Sequence, residues 1–426
     1  MNVRRRGSAA ALAVIAVLGA AAAPAAAADP SPSASASAPS QPSQPSTPST
    51  PSTLFGTTDP QYDGVWRQSL ALLAQDTAGV LPSSGAVDWL TGQQCANGAF
   101  APYRADTAKA CDAKTMVDTN STAAAVQALW AVGGHGDAVE DALAWLKSVQ
   151  NKDGGWGYSP GGASDANSTS VVIGALTATG TDPERVEKDG RSPYDALLAS
   201  ALSCAEDGGA FGYPDQDGKL LANADATAAG VLGALGKGLV TEAGEKTDTA
   251  ATCADADQPT REQAAANGAA HLARALAEDG HLKSALGGSA DQPDYGNTAD
   301  AVVALAAQGG VEKAAEPLAW LKKNAAKWAE QSGPAAYAQL IFAAHATGTD
   351  PRAFGGTDLV EKLNATGPAP RGVTDTATIS AQDAEQDEKK DDSGFGVRWI
   401  VGGCLVVAIA VAVGLVLRAR TKKQQP

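Results

Sequence analysis

The chain has 426 residues, a formal net charge of −15 and only 5% aromatic residues, with Ala and Gly abundant. An acidic chain without a basic face binds the phosphate backbone poorly, so no nucleic-acid partner is expected. The length is sufficient for one closed helical ring between two terminal segments of different composition.

The N-terminal 28 residues have the pattern of a secretory signal peptide. Residues 1–28 contain three Arg near the start, an apolar run over 9–23 and an Ala-x-Ala pattern before Asp29. An uncleaved membrane anchor is the alternative, and the Ala-rich composition of the run disfavours it. Residues 29–58 form a Pro/Ser-rich linker that is predicted to be disordered, because its composition cannot bury a core.

The C-terminal segment predicts a membrane anchor. The uncharged apolar run within 397–417 is long enough to cross a hydrocarbon core of about 30 Å as a transmembrane helix. An acidic linker at 369–396 precedes it, and a basic tail at 418–426 follows it. The positive-inside rule then places the tail in the cytoplasm and 59–368 outside the cell, which predicts an exported, single-pass membrane protein. A buried core helix is the alternative, and the flanking charges disfavour it.

The cysteines predict two local disulfides, because cysteines outside the cytoplasm tend to pair. We expect Cys95 to pair with Cys111 and Cys204 with Cys253, while Cys404 lies in the membrane span. Four cysteines permit three connectivities. Metal ligation is the alternative, but no metal site is predicted because no Cys-x-x-Cys or nearby His completes one.

A helix–turn–helix pattern recurs along residues 59–368. The hexapeptide ATGTDP occurs at 178–183 and again at 346–351, 168 residues or three repeats of about 56 residues apart. Each Gly-rich turn follows a helix of mixed polarity and precedes a helix of small residues. An outer ring of mixed helices around an inner ring of small-residue helices satisfies both patterns. Tyr62–Ala78 and Gly355–Leu363 supply a sixth pair, so the predicted fold is an all-α (α/α)₆ toroid of about twelve helices with no sheet of consequence.

The turn itself favours a structural role for its aromatic residue. In QNKDGGWGY, Gly154 can adopt a positive φ after the helix end, so that Trp156 folds back between consecutive outer helices. Phe100 and Phe211 occupy the same place in the neighbouring turns. The polar residues that follow, such as Asn167, are good N-caps for the inner helix.

The motif Q-x-x-x-G-x-W over 150–156 resembles the QW motif of the prenyltransferase/squalene oxidase (terpene cyclase) repeat superfamily, and 94–100 is a softened copy. The resemblance covers about 59–368 and implies an α/α toroid, but a fold does not fix an activity. In the superfamily's terpene cyclases, the middle Asp of D-x-D-D-T protonates a double bond. At that position this chain has Asn120, Asn167, Asp225 and Gly296, so the motif is intact in no copy.

The departures from the family pattern favour binding without catalysis. The zinc ligands of prenyltransferases and the thioester string of the complement branch are absent, whereas transcobalamin-like carriers use a similar toroid. We therefore predict a membrane-tethered extracellular protein that captures a large polar, corrinoid-like small molecule, possessing no cofactor and serving a membrane transporter. The predicted ligand-binding residues lie at the starts of the inner helices: Asp118, Asn120, Thr122, Asp165, Asn167, Thr169, Asp225, Thr227, Asp294, Asn297 and Thr298.

Three alternatives stay open. The first is a surface carbohydrate-active (α/α)₆ enzyme acting on a cell-surface glycan, with two of the four Asp residues in that set as its acid and base. The second is a terpene cyclase or prenyltransferase-like enzyme that retains Asp225. The third is a lipid or peptidoglycan ligand without catalysis. The sequence leaves open whether any enzymatic activity remains.

Overall fold

The structure is a computed structural model that describes residues 50–215, 217–246, 252–256, 259–285 and 292–372. The predicted signal peptide (1–28), transmembrane helix (397–417) and basic tail (418–426) lie outside the described residues, as do most of the two linkers (29–58 and 369–396). Within the described part of the chain, no helix is long and apolar enough to cross a membrane.

The described residues are mostly helical with little sheet, which confirms the all-α prediction. The helices are α1 Gly64–Thr77, α2 Ser84–Gly92, α3 Thr119–Val132, α4 Gly136–Ser148, α5 Ala166–Ala178, α6 Pro193–Ala199, α7 Cys204–Asp207, α8 Ala224–Ala234, α9 Arg261–Leu276, α10 Tyr295–Ala307, α11 Val311–Asn324, α12 Ala326–Ser332, α13 Pro334–Ala346 and α14 Leu359–Asn364. Two 3₁₀ turns span Pro183–Arg185 and Pro351–Ala353. Two short antiparallel hairpins pair β1 Gly212–Pro214 with β2 Leu220–Ala222, and β3 Leu282–Lys283 with β4 Pro293–Asp294.

Six helices, most of them rich in small residues, contact one another in a closed circuit. Helices α1, α3, α5, α8, α10 and α13 each contact the next in this order, and α13 contacts α1. Small side chains make this close approach possible. A Cβ added to Gly233 of α8 would lie only 2.8 Å from the Cβ of Ser170 on α5. The Ala- and Gly-rich inner helices are therefore a requirement of the packing.

The helices of mixed polarity pack outside this circuit. Helices α2, α4, α6, α9, α11 and α14 contact α1, α3, α5, α8, α10 and α13, respectively. Helix α4 shows why: Val139, Ala142 and Leu146 are buried on one face, whereas its other face is polar and exposed. Each helix of the circuit thus contacts one helix of this second set in the described residues.

The turns at 94–100 and 150–156 each fasten one outer helix to the next outer helix or to the segment before it. The Nε2 of Gln150 donates to the carbonyl oxygens of Gly154 at 2.8 Å and Val186 at 2.9 Å. Trp156 is 1% exposed, and its Nε1 donates to Leu146 O at 2.8 Å. Gln94 repeats the bonds of Gln150 in the preceding turn. The structural role predicted for Trp156 is confirmed.

The two ends of the described chain meet and close the circuit. Leu54 and Phe55, which we assigned to the linker at 29–58, are buried, and Phe55 packs against Gly367. The amide of Gly56 donates to Thr366 O at 2.8 Å. The packed domain therefore begins before Asp59, because residues 54–56 are held between α1 and the segment at 366–367.

Both predicted disulfides are confirmed. Cys95 is bonded to Cys111, and Cys204 to Cys253, each with a Cα–Cα distance of 5.6 Å. The first closes the loop between α2 and α3. The second fastens α7 to the segment before α9.

Candidate functional site

A cavity of about 250 Å³ lies at the centre of the helix circuit. All six inner helices contribute to its wall, through Leu70, Asn120, Asn167, Asp225, Asp300 and Phe342 among others. Most of the remaining lining is aliphatic or aromatic, so the cavity is apolar with a few polar side chains. This composition is typical of a small-molecule site.

One end of the cavity is covered by the loop that follows α8. Gln127 accepts a hydrogen bond from the amide of Leu239 at 2.9 Å and donates to Val171 O at 3.2 Å. Gly238 lies against α5, where a Cβ on Gly174 would be 2.7 Å from its Cα. The loop thus crosses the C-terminal ends of the inner helices, and the cavity opens toward their N-terminal ends, the surface we call the mouth.

Two carboxyl groups face the cavity from neighbouring inner helices. Asp225 lies in the first turn of α8, where its Oδ2 accepts a hydrogen bond from Asn167 Nδ2 at 2.5 Å. Asp300 lies in the second turn of α10, where Gln339 Nε2 donates to its two oxygens at 3.0 and 3.3 Å. Each carboxyl is therefore held by an amide from the adjacent inner helix.

Burial gives this pair an unusual protonation state. Burial, together with the nearby charge of Asp225, raises the pKa of Asp300 to about 7, although the Gln339 hydrogen bond opposes the shift. Burial also raises the pKa of Asp225, against the hydrogen bond from Asn167. Both side chains keep some accessible surface because they face the cavity. Two carboxyls in one poorly hydrated space resist joint ionisation, so the pair as a whole favours keeping one proton toward neutral pH.

Three of the eleven predicted ligand-binding residues face the cavity: Asn120, Asn167 and Asp225. Three others, Asp118, Asp165 and Asp294, are N-caps of α3, α5 and α10, because each carboxylate accepts a hydrogen bond from a backbone amide of the first turn. Asn297 donates to Asp294 at 2.7 Å, which supports the last of these caps.

The four predicted Thr residues are bonded to the turns instead of facing the cavity. Each Oγ1 accepts a hydrogen bond of 3.0–3.1 Å from a backbone amide of the preceding turn. The donor is the residue at the aromatic position of that turn, or Leu282 at the equivalent position, and the acceptors are Thr122, Thr169, Thr227 and Thr298. Buried hydroxyls that link a turn to the next inner helix satisfy polar backbone groups. Their place in the structure is therefore explained by the fold.

The sequence reasoning missed Asp300, Gln339 and Ser170, which all line the cavity. One signal was present for the first two. Asp300 is the one charged residue in NTADAVVALAA, and Gln339 is the one amide residue in PAAYAQLIFAA. A lone polar side chain in a helix that is buried on most sides must face a partner or a cavity.

No protein-family model matches the chain. A segment of 83 residues is 39% identical to a drimenyl diphosphate synthase of Streptantibioticus cattleyicolor and covers 20% of this chain and 14% of that protein. A segment of 108 residues is 40% identical to a drimenyl diphosphate synthase of Streptomyces showdoensis and covers 24% and 19%. The chain thus matches less than a fifth of the length of either curated relative.

Solved structures also resemble the described fold. A crystal structure of a protein from Actinoplanes has a TM-score of 0.46 at 15% identity and covers 71% of this chain and 95% of that one. The type II terpene cyclase MstE from Scytonema has a TM-score of 0.42 at 15% identity and covers 64% and 73%.

The sequence matches confirm the resemblance to the terpene cyclase repeat superfamily. They also show that our predicted function is wrong. Both curated relatives are synthases of drimenyl diphosphate, which contradicts a non-catalytic protein that captures a corrinoid. The broken aspartate motif led to that error, because it concealed the second carboxyl that α10 brings to the cavity.

Proposed function

We propose that the described residues form an (α/α)₆ toroid of the terpene cyclase type, which protonates a carbon–carbon double bond of an isoprenoid in its central cavity. One observation carries the proposal: the carboxyls of Asp225 and Asp300 face one largely apolar cavity, and each is held there by a side-chain amide of the adjacent inner helix. The similarity to drimenyl diphosphate synthases supports the choice of an isoprenoid.

The proposed reaction is an isomerising cyclisation. The Asp300 carboxyl gives its proton to one carbon of a double bond, and the other carbon becomes a cation. A second double bond of the same molecule attacks this cation, so that one C–C bond forms and the charge moves along the chain. Loss of a proton to a carboxylate of the pair forms a new double bond and restores the acid. The product is thus an isomer of the substrate.

The other residues of the cavity fit supporting roles. Gln339 holds the two oxygens of Asp300, and Asn167 holds Asp225, which fixes both carboxyls toward the cavity. The ionised form of Asp225 would stabilise positive charge nearby, and Trp66 and Phe342, which line the cavity, carry aromatic rings of the kind that attracts a cation. The apolar remainder of the lining excludes water that would quench it.

Comparison of product formation by wild type and Asp300→Asn tests the proposal. The full chain is incubated at pH 6 with geranyl, farnesyl and geranylgeranyl diphosphates, the corresponding alcohols and squalene, and products are identified by gas chromatography and mass spectrometry. Loss of the acid should lower the rate by about 10²–10⁴-fold. Asp182→Asn is the matched control, since Asp182 caps an exposed 3₁₀ turn. Absence of any cyclic isomer with wild type, or full activity of Asp300→Asn, would contradict the proposal.

We also propose that the toroid is exported and anchored in the cell membrane by residues 397–417, with the tail at 418–426 inside. The support is the pattern of apolar and charged residues at the two ends of the sequence. Protease treatment of intact cells should then release the toroid, and recovery of the domain in the cytosol would contradict this topology.

A further inference from the structure

Six inner-helix N-termini surround the mouth of the cavity. At four of them, a side chain of the protein already caps a backbone amide. Exposed N-terminal amides of helices attract phosphates. In this chain, Asp118, Asp165 and Asp294 occupy those amides on α3, α5 and α10, with oxygen–nitrogen distances of 2.6–3.0 Å. On α8, the Asn223 side chain does so at 2.8 Å. At these four termini, a side chain of the protein therefore already occupies one of the backbone amides that a phosphate oxygen would use.

The charges of the cavity also oppose an anionic ligand. Asp225 and Asp300 face the space below the mouth. Among the described residues, the one cation that lines the cavity is Lys237, which lies in the loop covering the opposite end. The internal segments outside the described ranges contain no Lys or Arg. A diphosphate would approach these carboxylates in a poorly hydrated space, where repulsion between like charges is strong.

The polar atoms that remain without a partner call for a hydrogen-bond donor. The Nδ2 of Asn167 donates a hydrogen bond to Asp225, which leaves the buried Oδ1 of Asn167 as an acceptor. Neither this oxygen nor the Oδ1 of Asn120 receives a hydrogen bond from the protein. Ser170 is 5% exposed, lines the cavity and has no partner for its Oγ. Buried polar atoms normally have partners. A hydroxyl group can donate to these acceptors, whereas an ionised diphosphate offers only acceptors.

The loops around the mouth expose apolar side chains. Met116 and Tyr158 precede α3 and α5, and Tyr213 and Leu221 lie in the β1–β2 hairpin that precedes α8. All four are exposed. An apolar rim next to capped, acidic helix ends suits a ligand that is uncharged and largely hydrocarbon.

We propose that the cavity takes an uncharged isoprenoid alcohol and excludes prenyl diphosphates, in contrast to the diphosphate for which the curated relatives are named. The isoprenoid class rests on the proposed function above. The hydroxyl group of the alcohol donates a hydrogen bond to the side-chain oxygen of Asn120 or Asn167 near the mouth, and the hydrocarbon part contacts the apolar wall. The choice between alcohol and diphosphate depends on the caps, the charges and the unpartnered acceptors.

Calorimetric titration of the full chain at pH 7.5 tests this selectivity. The probes are geranylgeraniol, geranylgeranyl diphosphate and squalene, each delivered from cyclodextrin. We expect geranylgeraniol to bind about tenfold or more tightly than the diphosphate. The double variant Asp118→Asn with Asp165→Asn keeps two good capping residues and removes two charges, so it should tighten diphosphate binding without affecting the alcohol.

A second variant tests the acceptor. Asn120→Leu should weaken geranylgeraniol about fivefold and leave squalene unchanged, since squalene has no hydroxyl to donate. Asn97→Leu, on an exposed turn, is the matched control. Diphosphate binding as tight as that of the alcohol would overturn the proposal, and so would failure of the alcohol to bind. Alcohol binding without any cyclic product would sustain this inference and refute the proposed function instead.

Discussion

Replacement of Gly154 by Ala tests the physical basis of the repeat. Gly154 has a φ of +90°, and a Cβ there would lie 2.7 Å from the carbonyl carbon of Ser192 and nearer still to its oxygen. Ser192 is the N-cap of α6 and forms a capping box with Asp195, so its backbone cannot move without disturbing the start of that helix. The added methyl group therefore meets backbone that has little freedom to yield.

The expected cost has two parts. The left-handed conformation costs a non-Gly residue about 1–2 kcal/mol, and overpacking against fixed atoms costs about 1–3 kcal/mol. Gly154→Ala should lower the free energy of unfolding by about 2–5 kcal/mol. Gly161→Ala is the control, because Gly161 has a φ of +77° but no atom within 4 Å of the added Cβ, so it should lose only the first part. Urea unfolding followed by far-UV circular dichroism measures both. Equal losses in the two variants would refute the packing argument.

Three further predictions concern the same domain. Gln150→Leu leaves two buried carbonyl groups without their hydrogen-bond donor and should lower the free energy of unfolding in urea by about 2 kcal/mol. An unchanged urea midpoint would show that water replaces the Gln150 side chain as the donor. Cys253→Ala opens a loop of 49 residues and should lower the free energy of unfolding by about 4 kcal/mol under non-reducing conditions. Cys111→Ala opens a loop of 16 residues and should lower it by about 3 kcal/mol; the reverse order would contradict the loop-entropy explanation. The pKa of Asp300 is raised to about 7 in the folded state, so the folded state binds the proton more tightly than the unfolded state does. Proton binding by Asp300 therefore stabilises the fold at low pH, and this stabilisation is lost as pH rises from about 4 through 7. Asp300→Asn should flatten that part of the stability profile, and an unaltered slope would assign it to other carboxyls.

The sequence predicted the parts of this fold that repeat. Mixed and small-residue helices alternate with a constant turn, so the helix circuit and the place of Trp156 followed from periodicity. Asp300 did not, because one polar residue within one helix has no periodic signature. Asp118 and Thr169 were assigned to a ligand because residues that cap or link helices are of the same types as residues that bind polar groups. Phe55 was misplaced because its burial depends on Gly367, at the far end of the domain.

The contact between residues 54–56 and 366–367 has a consequence for how such a domain can vary. An open array of helical repeats needs a polar cap at each end to cover its last apolar face. In this chain each end of the array covers the other, so no separate cap is required. A change in the number of repeats would have to preserve this junction, so it is more demanding for a closed ring than for an open array. Insertions in the loops at the two faces leave the junction untouched.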